Sequence, residues 1–108
     1  MIALAGFTGL ALAPAASAGK VLSIGEASNV AQKVAKRDCR RDEDCEASSA
    51  ANCRREAPRR VRCIASNVGT DDEGDYQCDR MVLVRLKRGG GTRHAAGKPS
   101  CYRIEALA

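Results

Sequence analysis

Aromatic side chains are almost missing from this chain. Its 108 residues include no tryptophan, one phenylalanine and two tyrosines. Proteins that hold single-stranded nucleic acid stack its bases on aromatic rings, so nucleic acid is disfavoured as a partner. Histidine is scarcer still: His94 stands alone. A hydrolase of the Ser-His or Cys-His kind needs an imidazole base held by a third group. His94 lies in a glycine-rich stretch with no carboxylate near it in sequence, and reads as an exposed loop histidine.

Two cysteine patterns are also missing. No cysteines stand in a C-x-x-C pair, which argues against a zinc knuckle and against a thioredoxin-like redox site. The acidic run Asp71-Asp72-Glu73-Gly74-Asp75 lacks the alternate acids of an EF-hand loop; it reads as an exposed acidic turn. No metal ion and no cofactor is implied, and the chain is not expected to be an enzyme.

A long uncharged run occurs once, over residues 1–18, and ends in Ala16-Ser17-Ala18. That ending is the small-x-small pattern a signal peptidase accepts. The run falls short of the roughly 20 apolar residues that span a bilayer. Residues 1–18 are therefore expected to be a cleaved signal peptide, residues 19–25 a flexible lead and residues 26–108 a single cysteine-rich domain. No Lys or Arg follows Met1, so either the charged leader region is minimal or the start lies upstream. The alanine-rich leader has a bacterial style. The expected location is the periplasm or outside the cell, with no transmembrane span in the mature chain.

What the chain does have is cysteine and arginine. Cys39, Cys45, Cys53, Cys63, Cys78 and Cys101 all follow the expected cleavage site. An even count in a short exported chain reads as a disulfide framework, and a domain this small needs one. The count is shared with disulfide-rich antimicrobial peptides and small protease inhibitors, but the spacing follows neither.

Periodicity gives a coarse fold. Ala27, Val30, Ala31 and Val34 form one apolar stripe at helical spacing, predicting a helix over Glu26 to Arg37. A second helical stretch is predicted from Asp42 to Pro58, with acids first and Arg54-Arg55 last, as a helix dipole favours. On it Cys45 and Cys53 lie two turns apart, too far to bond each other. Val61 to Ala65, Tyr76 to Lys87 and Cys101 to Leu107 read as strands.

A hairpin closing symmetrically over Asn67 to Gly74 sets Cys63 opposite Cys78, the favoured disulfide. A second register pairs Leu83 with Ile104 and Met81 with Ala106. The expected fold is α+β: one or two N-terminal helices packed on a three-stranded antiparallel sheet, small and disulfide-stabilised.

The stretch from Lys87 to Cys101, K-R-G-G-G-T-R-H-A-A-G-K-P-S-C, invites a phosphate-loop reading. It fails the pattern. Thr92 stands where the first glycine belongs, and Pro99 stands where a hydroxyl should follow the lysine. A mobile basic hairpin connection is expected instead.

The net charge is +5, from 18 Lys/Arg against 13 Asp/Glu. Arg37, Arg40 and Arg41, then Arg54 and Arg55, then Arg59, Arg60 and Arg62 form three clusters. Arg85, Lys87, Arg88, Arg93 and Lys98 gather around the second hairpin. Arginine favours bidentate contact with phosphate or carboxylate. The eight clustered arginines are the candidate anion site, for an anionic surface, a polysaccharide or an acidic protein. The bland alternative is that Asp38, Asp42, Glu43, Asp44, Glu46 and Glu56 neutralise them on a solvated face. A second functional class is an inhibitor or toxin-like effector that engages a protein through a hairpin loop. A third is a small enzyme built on His94 and a free cysteine.

Overall fold

The computed structural model describes residues 20–104. The expected signal peptide and the end of the last expected strand, residues 105–107, lie outside them. One helix packs on one face of a five-stranded antiparallel sheet, and three disulfides hold the unit together.

Helix α1 runs Ile24–Arg40. Ser23 caps it: its hydroxyl accepts from the Glu26 N–H at 3.0 Å, and the Glu26 carboxylate accepts from the Ser23 N–H at 3.4 Å. Such a cap is worth about 1 kcal/mol. Of residues 19–25, read as a flexible lead, the described part is tied down from Leu22 onward. Leu22 is fully buried, and its N–H donates to Pro58 O at 2.9 Å. The buried stripe is Ala27, Ala31, Val34 and Ala35, with Val30 at its edge. Small side chains on this stripe let the helix settle close to the sheet.

The strands are β1 (Cys45–Ala57), β2 (Arg60–Asp71), β3 (Gly74–Leu86), β4 (Thr92–Ala96) and β5 (Ser100–Arg103). Their order is β1-β2-β3-β4, and β5 continues the β4 edge along the other half of β3. Alternate residues point to opposite faces. Val61, Cys63 and Ala65 of β2 and Val82, Val84 and Leu86 of β3 face the helix and form the core with its stripe. Each fully buried Val or Leu stabilises by roughly 1.5–3 kcal/mol. Among the described residues, no element covers the other face.

The predicted second helix is a strand. Ala, Glu and Arg over 45–57 favour helix locally, but propensity is a weak prior. The Cys39–Cys45 bond, with Cα atoms 5.2 Å apart, turns the chain straight out of α1. Backbone pairing with β2 and the Cys53–Cys63 bond then hold the segment extended. Asn52, at φ 54°, sits within a bulge that shifts the register between Ala51 and Arg54.

The first hairpin is tighter than the symmetric loop over Asn67 to Gly74. Asp71 pairs with Gly74, so Cys63 faces Val82 and Cys78 faces Asn67. The favoured Cys63–Cys78 bond is therefore absent: Cys63 bonds Cys53, and Cys78 bonds Cys101, its direct neighbour across β3 and β5. Two residues misled the expectation. Asn67 is a strand residue buried on the helix side, not a turn residue. Gly69 serves a close approach: a Cβ there would run into the Asp44 carbonyl oxygen and the Tyr76 ring.

The second hairpin differs too. The stretch expected to be one mobile connection holds β4, so Leu83 pairs with Ala95 rather than Ile104. Lys87 N donates to Gly91 O at 2.9 Å across the turn. Gly90 (φ 99°) and Gly91 (φ 76°) take backbone angles that favour glycine.

Candidate anion-binding face

The uncovered face of the sheet carries its charge in rows. Arg60 stands directly opposite Arg85, and Arg85 directly opposite Arg93. The next row inward is Arg54, Arg62, Leu83 and Ala95. The third is Ala51, Ile64 and Met81. Directly opposed side chains in antiparallel strands have Cβ atoms about 4.5–5.5 Å apart. Five arginines thus share one end of a flat face and border its apolar middle.

Among the described residues, one carboxylate serves that end. Glu56 pairs with Arg62 at 2.6 Å and with Arg60 at 3.3 Å. Arg54, Arg85 and Arg93 make no ion pair among the described residues. Lys87 and Arg88, in the turn beside them, join Arg85 and Arg93 around a shallow depression of about 220 Å³.

Opposite charge collects at the far end of the sheet. Burial pushes the Asp44 carboxyl up from its ordinary value, helped by Asp42, Glu43, Asp71 and Asp72. Asp71 goes the other way, because hydrogen bonds from Arg103 favour its charged form. Arg103 reaches Asp71 at 2.6 Å and Glu73 at 3.2 Å, bracing the β2–β3 turn. The Tyr76 hydroxyl donates to Asp42, which pushes its pKa up to about 12. Between the two ends, burial raises Asp79, but hydrogen bonds from Gln77, Ser66 and Tyr102 outweigh it and leave the carboxyl lowered.

Among the described residues, the bland expectation of wholesale neutralisation holds in one place, Glu56 with Arg60 and Arg62; Asp38 pairs instead with Arg80, outside the clusters. Asp42, Glu43, Asp44 and Glu46 make no ion pair among the described residues.

The eight candidate arginines do not form one site. Arg54, Arg60 and Arg62 share the outer face. Arg55 is structural: its guanidinium donates to Leu22 O at 2.6 Å and Pro58 O at 3.0 Å. Arg59 donates to Leu86 O at 3.3 Å. Arg41 caps α1 through its backbone N–H. Arg37 and Arg40 lie on α1, on the other side of the sheet. Arg85 and Arg93 complete the row, although sequence groups them separately with the second hairpin. Only the register joins them to Arg60.

His94 is a strand residue on β4, opposite Val84 and so on the helix side. It is exposed. All six cysteines are in disulfides and none is free. Among the described residues, no helix is long and apolar enough to cross a membrane.

Comparison with known proteins gives no match: no family model, no curated protein and no solved structure is similar to this chain.

Proposed function

We propose that the protein is a small exported binding module whose outer sheet face engages an anionic polymer or surface. It carries out no chemistry of its own. The observation behind this reading is the Arg60–Arg85–Arg93 row, three guanidinium groups opposed across three strands with, among the described residues, a single carboxylate paired to the row. Like charges placed directly opposite each other destabilise a sheet. A sequence that tolerates this cost gains from it where a counter-anion from outside completes the row. Arginine suits that role because its planar fork takes phosphate, sulfate or carboxylate oxygens in pairs. The apolar residues Ile64, Met81 and Leu83 beside the row add a surface for the ligand's non-polar part.

Export is supported by the disulfides. Three bonds in a chain this small belong to an oxidising compartment. The periplasm of a bacterium, or the space outside the cell, is the proposed site of action. The partner is then an anionic envelope polysaccharide, a lipid headgroup surface or an acidic protein. The alternative of an inhibitor acting through a hairpin loop has less to support it. One hairpin turn is closed over two residues and braced by Arg103, and the Lys87–Gly91 turn is tight.

The test is retention on a sulfated or phosphorylated matrix. Retention of the wild type is expected to exceed that of the Arg85→Ser/Arg93→Ser variant clearly at low salt. Equal retention of the two proteins would remove the face from the account.

A further inference from the structure

A second basic site lies on the other side of the sheet, where α1 leaves part of β4 uncovered. A cleft of about 460 Å³ opens between them. Lys33, Lys36, Arg37 and Arg40 line one wall and His94 the other. This volume is within the range of small-ligand sites. Val30 and Val34 of α1 also line it, so part of its surface is apolar.

The four cations repeat at i, i+3, i+4 and i+7, the spacing of one helix face. Two of these pairs, Lys33 with Arg37 and Lys36 with Arg40, are like charges at i, i+4, which destabilise a helix. The helix C-terminus favours cations in its last turn. That accounts for Arg37 and Arg40 but leaves Lys33 and Lys36 unexplained. The helix's acids do not relieve them. Glu26 serves the N-terminal cap, and Asp38 pairs with Arg80. Among the described residues, no carboxylate lines the cleft.

Arg37 supplies an independent observation. Its Nε is buried and has no hydrogen-bond partner. Two other arginines share that condition, but each has compensation: Arg60 Nε lies 3.3 Å from Glu56 and Arg80 Nε 3.2 Å from Asp38. Arg37 has no such carboxylate among the described residues. A buried donor without an acceptor is costly, and most so on a charged group.

We infer that this cleft binds a compact tetrahedral oxyanion, a phosphate or sulfate monoester, on a small ligand whose apolar part lies against the valines. Arg37 and Arg40 take the oxyanion, and Lys33 and Lys36 steer it in. His94 and Thr92 close the β4 side. The site stands apart from the outer face: His94 and Thr92 oppose Val84 and Leu86 on the helix side, whereas Arg93 opposes Arg85 on the other.

The test uses phenyl phosphate and phenyl sulfate, followed by nitrogen–proton NMR of the disulfide-intact protein. A saturable shift of the Arg37 Nε–H resonance, with the Thr92 and His94 amides, is expected for at least one of the two. The one that saturates at lower concentration identifies the ester. Equal saturation assigns the tetrahedral oxyanion alone. The Lys33→Ser/Lys36→Ser variant changes exposed side chains only, and a loss of affinity of about tenfold is expected from it. Arg85→Ser/Arg93→Ser is expected to leave the affinity unchanged. Non-saturating shifts with both probes, or shifts spread evenly over all arginines, would overturn the inference. So would loss of binding in the outer-face variant, which would mean the probes respond to diffuse charge and not to the cleft. The outer face stands or falls separately, by its own matrix retention.

Discussion

Arg85 faces Arg93 across the β3–β4 pair with no carboxylate paired to either among the described residues. On its other flank Arg85 faces Arg60, whose partner Glu56 is shared with Arg62. The arrangement works against the fold locally and offers a row of donors to an anion.

That opposition gives a trade-off between stability and binding. Arg93→Glu would turn a repulsive cross-strand pair into an attractive one. Stability is expected to rise by about 0.5 kcal/mol, within the ordinary range for cross-strand pairs, read by denaturant unfolding. Retention on an anionic matrix is expected to fall. A variant that is less stable than wild type would mean the arginines support each other in some other way.

Gly69 tests the packing under Tyr76. A Cβ at this position meets the Asp44 carbonyl oxygen and the phenol ring, and one of the two is backbone. Gly69→Ala is expected to cost about 2 kcal/mol, a typical overpacking penalty. Gly89→Ala is the control, since nothing lies within 4 Å of its added carbon. Thermal melts of both variants decide it: only the first should shift markedly.

The disulfides link neighbours in sequence: Cys39 to Cys45, Cys53 to Cys63 and Cys78 to Cys101. Peptide mapping without reductant should recover these three pairs. Removing Cys78 and Cys101 together should cost about 2–4 kcal/mol, and losing either shorter closure somewhat less, because stabilisation grows with the loop closed. A mapped Cys63–Cys78 peptide would contradict the hairpin register.

Tyr76 offers a spectroscopic check. Its hydroxyl donates to Asp42, which together with burial holds its pKa at about 12. In a phenolate absorbance titration Asp42→Asn should lower this value toward the ordinary one near 10. Tyr102, raised by burial and by Asp79, should not move with that substitution.

Acid weakens the brace at the β2–β3 turn. The Asp71 carboxyl is held below its ordinary value by Arg103 hydrogen bonds. A lowered folded pKa means the contribution is present above the unfolded value, near 3.8, and is lost as pH falls through the folded one. Asp44 has the opposite sign: its folded pKa is raised, so its ionised form costs stability, and protonation in acid relieves that cost. Unfolding measured at pH 6 and pH 2 should show the gap between wild type and Arg103→Ala narrowing in acid. A gap that widens would remove the Asp71–Arg103 pair as its source.

The sequence showed some of this plainly and hid the rest for identifiable reasons. The α1 stripe of Ala27, Ala31 and Val34 was legible because one helix face is buried along its length. The β3 segment was legible from its run of strand formers. β1 was not, since Cys45–Ala57 carries helix-favouring residues and is extended only through its disulfides and its pairing with β2. β4 was hidden behind Gly89, Gly90 and Gly91, whose turn makes the whole stretch look like loop. The arginine row depended on register, because Arg60, Arg85 and Arg93 are scattered in sequence. A hairpin centred two residues too early would have set Met81, not Arg85, opposite Arg60.

The most direct measurement is the salt dependence of binding to a linear sulfated polysaccharide, for wild type and for the Arg60→Ser/Arg85→Ser/Arg93→Ser variant. Screening shortens the reach of exposed charges, and each cation that neutralises the polymer releases counterions, which steepens the salt dependence. The expected result is tight low-salt binding by wild type that falls steeply with salt, and a variant that binds weakly with a shallower slope. Wild-type binding that is absent or insensitive to salt, or a variant with the same slope, would contradict an arginine-row anion site.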